Sequence, residues 1–440
     1  MALAAGSNIT LDAALREAEE RFIAANPESR RLNAEAAKAM PGGNTRTVLF
    51  YEPFPLTLAS GEGCHVRDAD GHLYTDFLVE YTAGLYGHSH PVIRGAIEAA
   101  LSDGIVLGGP NLLEARFAAA LCDRFPAVER IRFCNSGTES NMFALSAARA
   151  ATGRDKVMAF RGGYHGGVLY FAGANPLNAP FPMVMADYND AENAARQIEA
   201  EGDRLAAVIV EPMLGSGGCI PAEPAFLQAL RDATAKTGAL LIFDEVMTSR
   251  LAPGGLHGDL GITPDLVTLG KYLGGGLTFG AFGGRAEIMD RFDPRRPGAW
   301  PHAGTFNNNV LTMAAGLAGL TQIYTPETAI ALNRRGDALR NRLNGIAEAM
   351  GLPVRATGRG SMMCLHAASG PVRRPADVAG MPKALRDLLH LDLLEKGQYI
   401  ARRGMINLSL PMEAPDLDGL AAAFAEVLEA RAGLIESSVA

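Results

Sequence analysis

Lys271 lies in the run Thr268-Leu269-Gly270-Lys271-Tyr272-Leu273-Gly274-Gly275-Gly276, and Asp244 closes the apolar run Leu240-Leu241-Ile242-Phe243 upstream of it. A lysine amine forms a Schiff base with an aldehyde. An aspartate can hold a pyridine nitrogen in its protonated, electron-withdrawing form. The pair therefore points to an aldehyde cofactor built on a pyridine ring. A lone lysine is usually a solvated surface charge. Lys271, hemmed by an apolar strand and three glycines, departs from that pattern.

Such a cofactor also needs a cradle for its phosphate. Asn135-Ser136-Gly137-Thr138-Glu139-Ser140-Asn141 follows one apolar strand and opens a helix expected to run to Gly153. Free backbone N–H groups at the positive end of a helix make an anion site. Gly137 permits close approach, and Ser136 and Thr138 add hydroxyls. The competing reading is an ordinary N-cap, a position where serine and threonine are favoured anyway. With Lys271 and Asp244, the cradle completes the needs of pyridoxal phosphate. Gly162-Gly163-Tyr164-His165-Gly166-Gly167 follows the next strand. Its aromatic can lie flat on a cofactor ring, or merely pack. Gly270-Lys271 is not a nucleotide P-loop, because Tyr272 follows the lysine and Asp265 stands where the first glycine belongs. His-Glu-x-x-His and Gly-x-Ser-x-Gly do not occur, which weakens metallohydrolase and serine-hydrolase readings.

The elements that must position these residues follow from pattern. Leu11 to about Met40 reads as polar amphipathic helix, interrupted near Asn26-Pro27 and ended by Pro41-Gly42-Gly43. Pro55 to Phe77 alternates, with tight turns at Gly61-Glu62-Gly63 and Asp68-Ala69-Asp70-Gly71, so short antiparallel strands are expected. After Pro91, helices separate short apolar runs: 131–133, 156–160, 206–210, 240–243 and 266–269. One such helix is expected over Pro224 to Thr237, with Pro224 in its first turn and Gly238 as its stop. The rhythm predicts an α/β fold with a mainly parallel, doubly wound sheet. Ligands on such sheets bind beyond the carboxyl ends of the strands. Asn135, Glu211, Asp244 and Lys271 all fall just there. A helical region follows Thr305, and strands are expected at 354–356 and 362–366 in a smaller C-terminal region that packs with the N-terminal strands. The expected division is 1–80 as part of a small α+β domain, 81–320 as the large cofactor-binding domain, and 321–440 as the rest of the small domain.

Composition narrows the function classes. The 440 residues are 48% hydrophobic and 20% charged, as in a soluble globular protein, and the net charge of -8 gives no reason to expect nucleic acid or a membrane as partner. The five cysteines are odd in number and contain no Cys-x-x-Cys, so neither a disulfide framework nor a metal site is expected. Reduced thiols, no secretory pattern at the N-terminus and no bilayer-length apolar run lead to the expectation of a cytoplasmic protein.

Asn135-Ser136-Gly137-Thr138-Glu139, Tyr164-His165-Gly166, Glu211-Pro212, Asp244-Glu245-Val246 and Gly270-Lys271 stand in an order and spacing that resembles the class III (ω) aminotransferases of pyridoxal phosphate fold type I. The resemblance covers nearly the whole chain. Pro41-Gly42-Gly43-Asn44-Thr45-Arg46 and Gly304-Thr305-Phe306-Asn307-Asn308-Asn309 look most like the branch that holds glutamate-1-semialdehyde aminomutase and the β-amino-acid aminotransferases.

The resemblance implies roles. Lys271 would carry the cofactor and move the proton, and Asp244 would pair with the ring nitrogen. Val246 and Tyr164 would sandwich the ring, with His165 beside it. Ser136, Gly137 and Thr138 would hold the phosphate, and Glu211 would support the site. Thr305 would reach the phosphate of a neighbouring subunit, making the working unit a homodimer with shared sites. Arg46 would bind the substrate carboxylate. Arg403 would be a mobile arginine, pairing with the second carboxylate of 2-oxoglutarate and swinging away for an aryl group; adjacent Arg402 leaves open which of the two serves. Aromatic β-amino acids such as β-phenylalanine are the expected donors. The competing readings are an aminomutase or another ω-transaminase, a racemase or decarboxylase on the same cofactor, and a non-catalytic regulatory dimer. Against the aminomutase stands Asn44-Thr45-Arg46, where that family usually has Val-Asn-Ser.

Overall fold

The computed structural model describes residues 10–439. Two helices, Leu11–Ala25 and Pro27–Ala36, open the chain; Thr10 caps the first through the N–H of Ala13, and Pro27 starts the second after the expected break. The strands are β1 (Leu58–Glu62), β2 (His65–Asp68), β3 (Leu73–Asp76), β4 (Arg130–Cys134), β5 (Lys156–Phe160), β6 (Met183–Ala186), β7 (Leu205–Val210) and β8 (Met213–Leu214). They continue with β9 (Ile220–Pro221), β10 (Leu240–Asp244), β11 (Leu266–Gly270), β12 (Gly280–Gly284), β13 (Val354–Arg359), β14 (Met362–Ala367), β15 (Gln398–Tyr399) and β16 (Met405–Asn407).

Seven strands form the central sheet in the order β4-β12-β11-β10-β7-β5-β6. Six run the same way, and β12 alone is antiparallel to both neighbours. The reason lies in β7, β10 and β11. Their sequences are apolar except for Asp244 at the end of β10 and Thr268 in β11, and every residue in them is buried. A strand of that kind needs cover on both faces. Ala207 and Ile209 of β7 pack with Ala144, Leu145 and Ala148 of the helix Gly137–Thr152. Val208 and Val210 point the other way, into a cluster with Ile198, Phe226, Leu227 and Leu230 of the helices Ala191–Glu201 and Pro224–Thr237. Full burial of each such side chain contributes about 1.5–3 kcal/mol.

The expected helix stops are present: Gly153 and Gly238 both sit in left-handed backbone, at φ 68° and 73°. The expected antiparallel strands are β1, β2 and β3, and β15 joins them in parallel beside β3. The N-terminal strands therefore pack with the C-terminal region. A strand is also expected over Ile406 to Leu410; the strand there is β16, Met405–Asn407, three residues long. Among the described residues, no helix is long and apolar enough to cross a membrane, and all five cysteines are free.

Strand β12, Gly280-Ala281-Phe282-Gly283-Gly284, has Phe282 as its one strand-forming residue among three glycines, and periodicity gave no sign of it. Glycine is nevertheless required there. A Cβ on Gly280 would stand 2.2 Å from the carbonyl oxygen of Ser136, and one on Gly284 would stand 2.2 Å from that of Asp265. The tight fit of β12 under Ser136 sets the position of the helix Gly137–Thr152. Gly280→Ala should therefore destabilise the fold by about 1–3 kcal/mol and weaken retention of the cofactor that the resemblance implies. Denaturant unfolding and cofactor titration check both, and a variant with wild-type values in each would refute the constraint.

Candidate active site

The sheet delivers four polar residues to one edge. Asp244 ends β10, and Lys271, Glu211 and Asn135 follow β11, β7 and β4 directly. Lys271 has φ 56°, a left-handed conformation disfavoured for a residue with a Cβ. Its amine is partly buried and has no carboxylate within ion-pair distance among the described residues. Burial pushes its pKa down to about 8; the positive charges of Arg46 and Arg403 act in the same direction, and Glu80 and Asp244 oppose them.

Asp244 is buried at the end of the central strand. Its Oδ2 accepts from Asn141 Nδ2 and His165 Nδ1, each at 2.8 Å, and its Oδ1 accepts from the N–H of Val246 at 3.0 Å. A carboxylate has about four acceptor positions. Three are filled here, and Oδ1 keeps one for a further donor. Asn141 Oδ1 in turn accepts from Thr268 Oγ1 at 2.7 Å. Asn141 and Thr268 were not expected in the site. Asn141 stands in the quoted cradle motif, but a buried asparagine inside a helix gives no periodic signal.

Ser136 caps the helix Gly137–Thr152, its hydroxyl accepting from the N–H of Glu139 at 3.2 Å. Capping and cradle readings coexist, because the N–H groups of Gly137 and Thr138 have no acceptor among the described residues. Val246 packs against both glycines of the site. A Cβ on Gly137 would meet Val246 Cγ1 at 2.8 Å, and one on Gly270 would meet it at 3.1 Å. Glu211 Oε2 accepts from the N–H of Tyr164 at 3.0 Å, and its Oε1 accepts from that of Gly215 at 2.9 Å. Glu211 thus fixes the glycine-rich loop that presents the exposed Tyr164 ring. Burial pushes its carboxyl above the usual carboxylate range, aided by Asp244 and opposed by His165 and by the two backbone donors.

The two adjacent arginines part company. Arg402 Nε donates to Asp387 Oδ1 at 2.6 Å and its Nη2 to Oδ2 at 3.2 Å, a two-pronged ion pair with a buried partner. Arg403 has no carboxylate partner among the described residues. Its Nη1 donates to Ser216 Oγ at 3.1 Å, its guanidinium lies 4.8 Å from the centre of the Tyr81 ring, and its Nε is buried without a partner. Arg46 lies over the same ring at 5.5 Å and pairs with Glu80. Arg403 also lines a cavity of about 680 Å³ whose walls include Phe171, Leu365, Val378 and Met381.

Thr305 is the one expected residue that stands apart. It is exposed, on the loop before the helix Val310–Ala318, and only Asn307 of that loop reaches the cradle, through Asn135 Nδ2 at 3.0 Å. Away from the site, Cys64, His65 and Asp416 cluster. His65 turns Nδ1 to Cys64 at 3.6 Å and Nε2 to Asp416 at 3.3 Å, the arrangement of a hydrogen-bonded group whose ring nitrogens serve different partners.

Known proteins share this framework. The family description Aminotransferase class-III matches residues 50–404. The chain belongs to the class III aminotransferases. A β-phenylalanine transaminase of Variovorax paradoxus is 53% identical over 98% of this chain and 99% of its own. The crystal structure of a β-phenylalanine aminotransferase from Variovorax paradoxus superimposes with a TM-score of 0.95 at 54% identity, covering 97% of this chain and 99% of that one. A glutamate-1-semialdehyde 2,1-aminomutase 2 of Brevibacillus brevis is 40% identical over 78% of this chain and 84% of its own. This class III aminotransferase is a fold type I transaminase that depends on pyridoxal phosphate. The site fits that cofactor: a near-neutral lysine, a buried carboxylate with one acceptor position to spare, and two free N–H groups at a helix start.

Only the neutral amine attacks an aldehyde, so the reactive fraction of Lys271 rises with pH through about 8. The rate at which cofactor-free protein takes up pyridoxal phosphate should follow that rise. Arg403→Ala, which removes a positive charge near the amine, should move the midpoint upward. A wild-type midpoint at the ordinary lysine value would contradict the environment described.

Proposed function

We propose that this transaminase moves the amino group of an aromatic β-amino acid, such as β-phenylalanine, to 2-oxoglutarate. The carrying observation is the pair of guanidinium groups on one Tyr81 ring, of which Arg403 has no carboxylate partner among the described residues and borders a cavity where Arg161, Arg386 and His366 stand beside Phe171, Leu365 and Met381. Arginine grips carboxylate through paired bonds. Arg46 then takes the carboxylate common to both substrates. Arg403 takes the second carboxylate of the acceptor and vacates the cavity for the aryl group of the donor. The name of the Variovorax relative supports the donor.

When bound, pyridoxal phosphate supplies an electron sink for the charge left as the substrate carbon loses its proton. Asp244 would hold its ring nitrogen, with His165 and Asn141 fixing the carboxylate. Val246 and Tyr164 would take the two ring faces, and Glu211 sets the loop that carries Tyr164. Ser136, Gly137 and Thr138 would hold the phosphate. Lys271 Nζ would take the proton from the carbon that bears nitrogen and deliver it to the cofactor side of that nitrogen, a task suited to an amine whose pKa burial lowers to about 8.

The working unit in this reading is a homodimer in which Thr305 serves the partner's phosphate. Support comes from an apolar surface around that loop. Val106, Leu112 and Phe306 are 84%, 90% and 60% exposed, and Asn111 and Asn308 tie the two segments together at 2.8 Å. The reading keeps the division into 1–80, 81–320 and 321–440, and a cytoplasmic place for the enzyme. An aminomutase needs no second carboxylate site, which leaves Arg403 without a purpose.

Single-turnover measurements separate the arginines. Arg46→Ala should slow both half-reactions at least about tenfold, the effect of losing a charge-assisted bond pair. Arg403→Ala should slow the 2-oxoglutarate half-reaction by a similar factor and leave the β-phenylalanine half-reaction within about twofold. Equal losses in both halves for Arg403→Ala would refute the switch, and inactivity toward every β-amino acid would refute the donor.

A further inference from the structure

Val79, Glu80, Tyr81 and Thr82 all have left-handed backbone, with φ of 51°, 44°, 51° and 83°. None is glycine, so in each the Cβ crowds the following carbonyl. Such a run persists only where its surroundings over-determine it. Asp76 Oδ1 accepts from the N–H of Val79 at 2.9 Å, and Asn407 Nδ2 donates to the Leu78 carbonyl at 2.9 Å. Fully buried Arg250 donates to the Thr82 carbonyl at 3.4 Å and also to that of Leu408. The clamped turn delivers two side chains to the site. Tyr81 is the plate under Arg46 and Arg403, and the Glu80 carboxylate is the ion-pair partner of Arg46.

We infer that Glu80 is a resident carboxylate that occupies Arg46 between substrates and must be displaced by the substrate carboxylate, so that it sets the affinity of that subsite. The inference rests on Arg46 being the carboxylate anchor. Arg46 carries one positive charge, and its Nη1 is taken by Glu80 Oε1. Binding then exchanges one ion pair for another rather than adding one. Glu80 has somewhere to go: its side chain is 56% exposed and lines a cleft of about 630 Å³ that also holds His88, His90 and Arg94. Arg46 keeps its place during the exchange because the Tyr81 ring still attracts it. The strained turn explains why the carboxylate is always near at hand, since it fixes the Cα of Glu80 and leaves the side chain to move.

The test uses Glu80→Gln, Arg46→Ala and the double variant. In Glu80→Gln the KM for β-phenylalanine should fall about two- to fivefold, the range for a half-exposed ion pair, with kcat little changed. The dissociation constant of 3-phenylpropionate, measured by calorimetry on the cofactor-free protein, should fall by the same factor. Arg46→Ala should raise both constants, and adding Glu80→Gln to it should change nothing further. If Arg46→Ala raises them while Glu80→Gln leaves them unchanged or raises them, Glu80 is no competitor and the inference is overturned. If Arg46→Ala has no effect, the anchor reading fails instead. Glu80→Ala repeats the test should the glutamine variant unfold below the wild-type temperature.

Discussion

Desolvating a lone carboxylate costs several kcal/mol, and only well-placed donors offset it. Asp244 meets that condition at the end of β10 with Asn141, His165 and the N–H of Val246. Asn141 belongs to the cradle helix, and its oxygen accepts from Thr268 on the strand that ends at Lys271. One asparagine therefore ties the cradle, the aspartate and the lysine strand into a single unit. The sheet supplies the direction, but the mutual distances of the three come from this bonding. Each charge-assisted bond contributes about 1.5–3 kcal/mol, and the three together leave one acceptor position of Oδ1 unfilled.

Around this anion the site is crowded with cations. Burial, with the charges of Arg46 and Arg403 beside it, lowers the pKa of Lys271, whose ammonium is a stronger acid than either guanidinium and so gives way first. Backbone strain is gathered in the same place, at Lys271 and at the turn 79–82. Ordinary packing does not produce such conformations. They persist because buried bonds from Asp76, Arg250 and Asn407 hold the turn.

The main features were legible before the structure because they rest on local physics. Apolar runs marked β7, β10 and β11, and Gly153 and Gly238 marked helix ends through the left-handed backbone that glycine accepts. Lys271, Asp244, Glu211 and Asn135 were placed by following strand ends. What was hidden depends on contacts distant in sequence. Strand β12 is glycine-rich because other backbones press on it, which erases its strand signature. Val79 to Thr82 contains no glycine, so nothing announced its left-handed turn. Arg402 and Arg403 are indistinguishable as neighbours; a buried Asp387, fifteen residues earlier in the chain, engages only the first.

Under the proposed function, Asp244 keeps the ring nitrogen of pyridoxal phosphate protonated. The direct measurement is the nitrogen NMR shift of cofactor labelled at that atom, bound to wild type and to Asp244→Asn, alongside turnover. The account predicts a protonated nitrogen in the wild type throughout the neutral range. In the variant it predicts an unprotonated nitrogen with turnover lowered at least about tenfold, as expected for the loss of a buried charge-assisted bond. An unprotonated nitrogen in the wild type, or near-normal turnover in the variant, would contradict it.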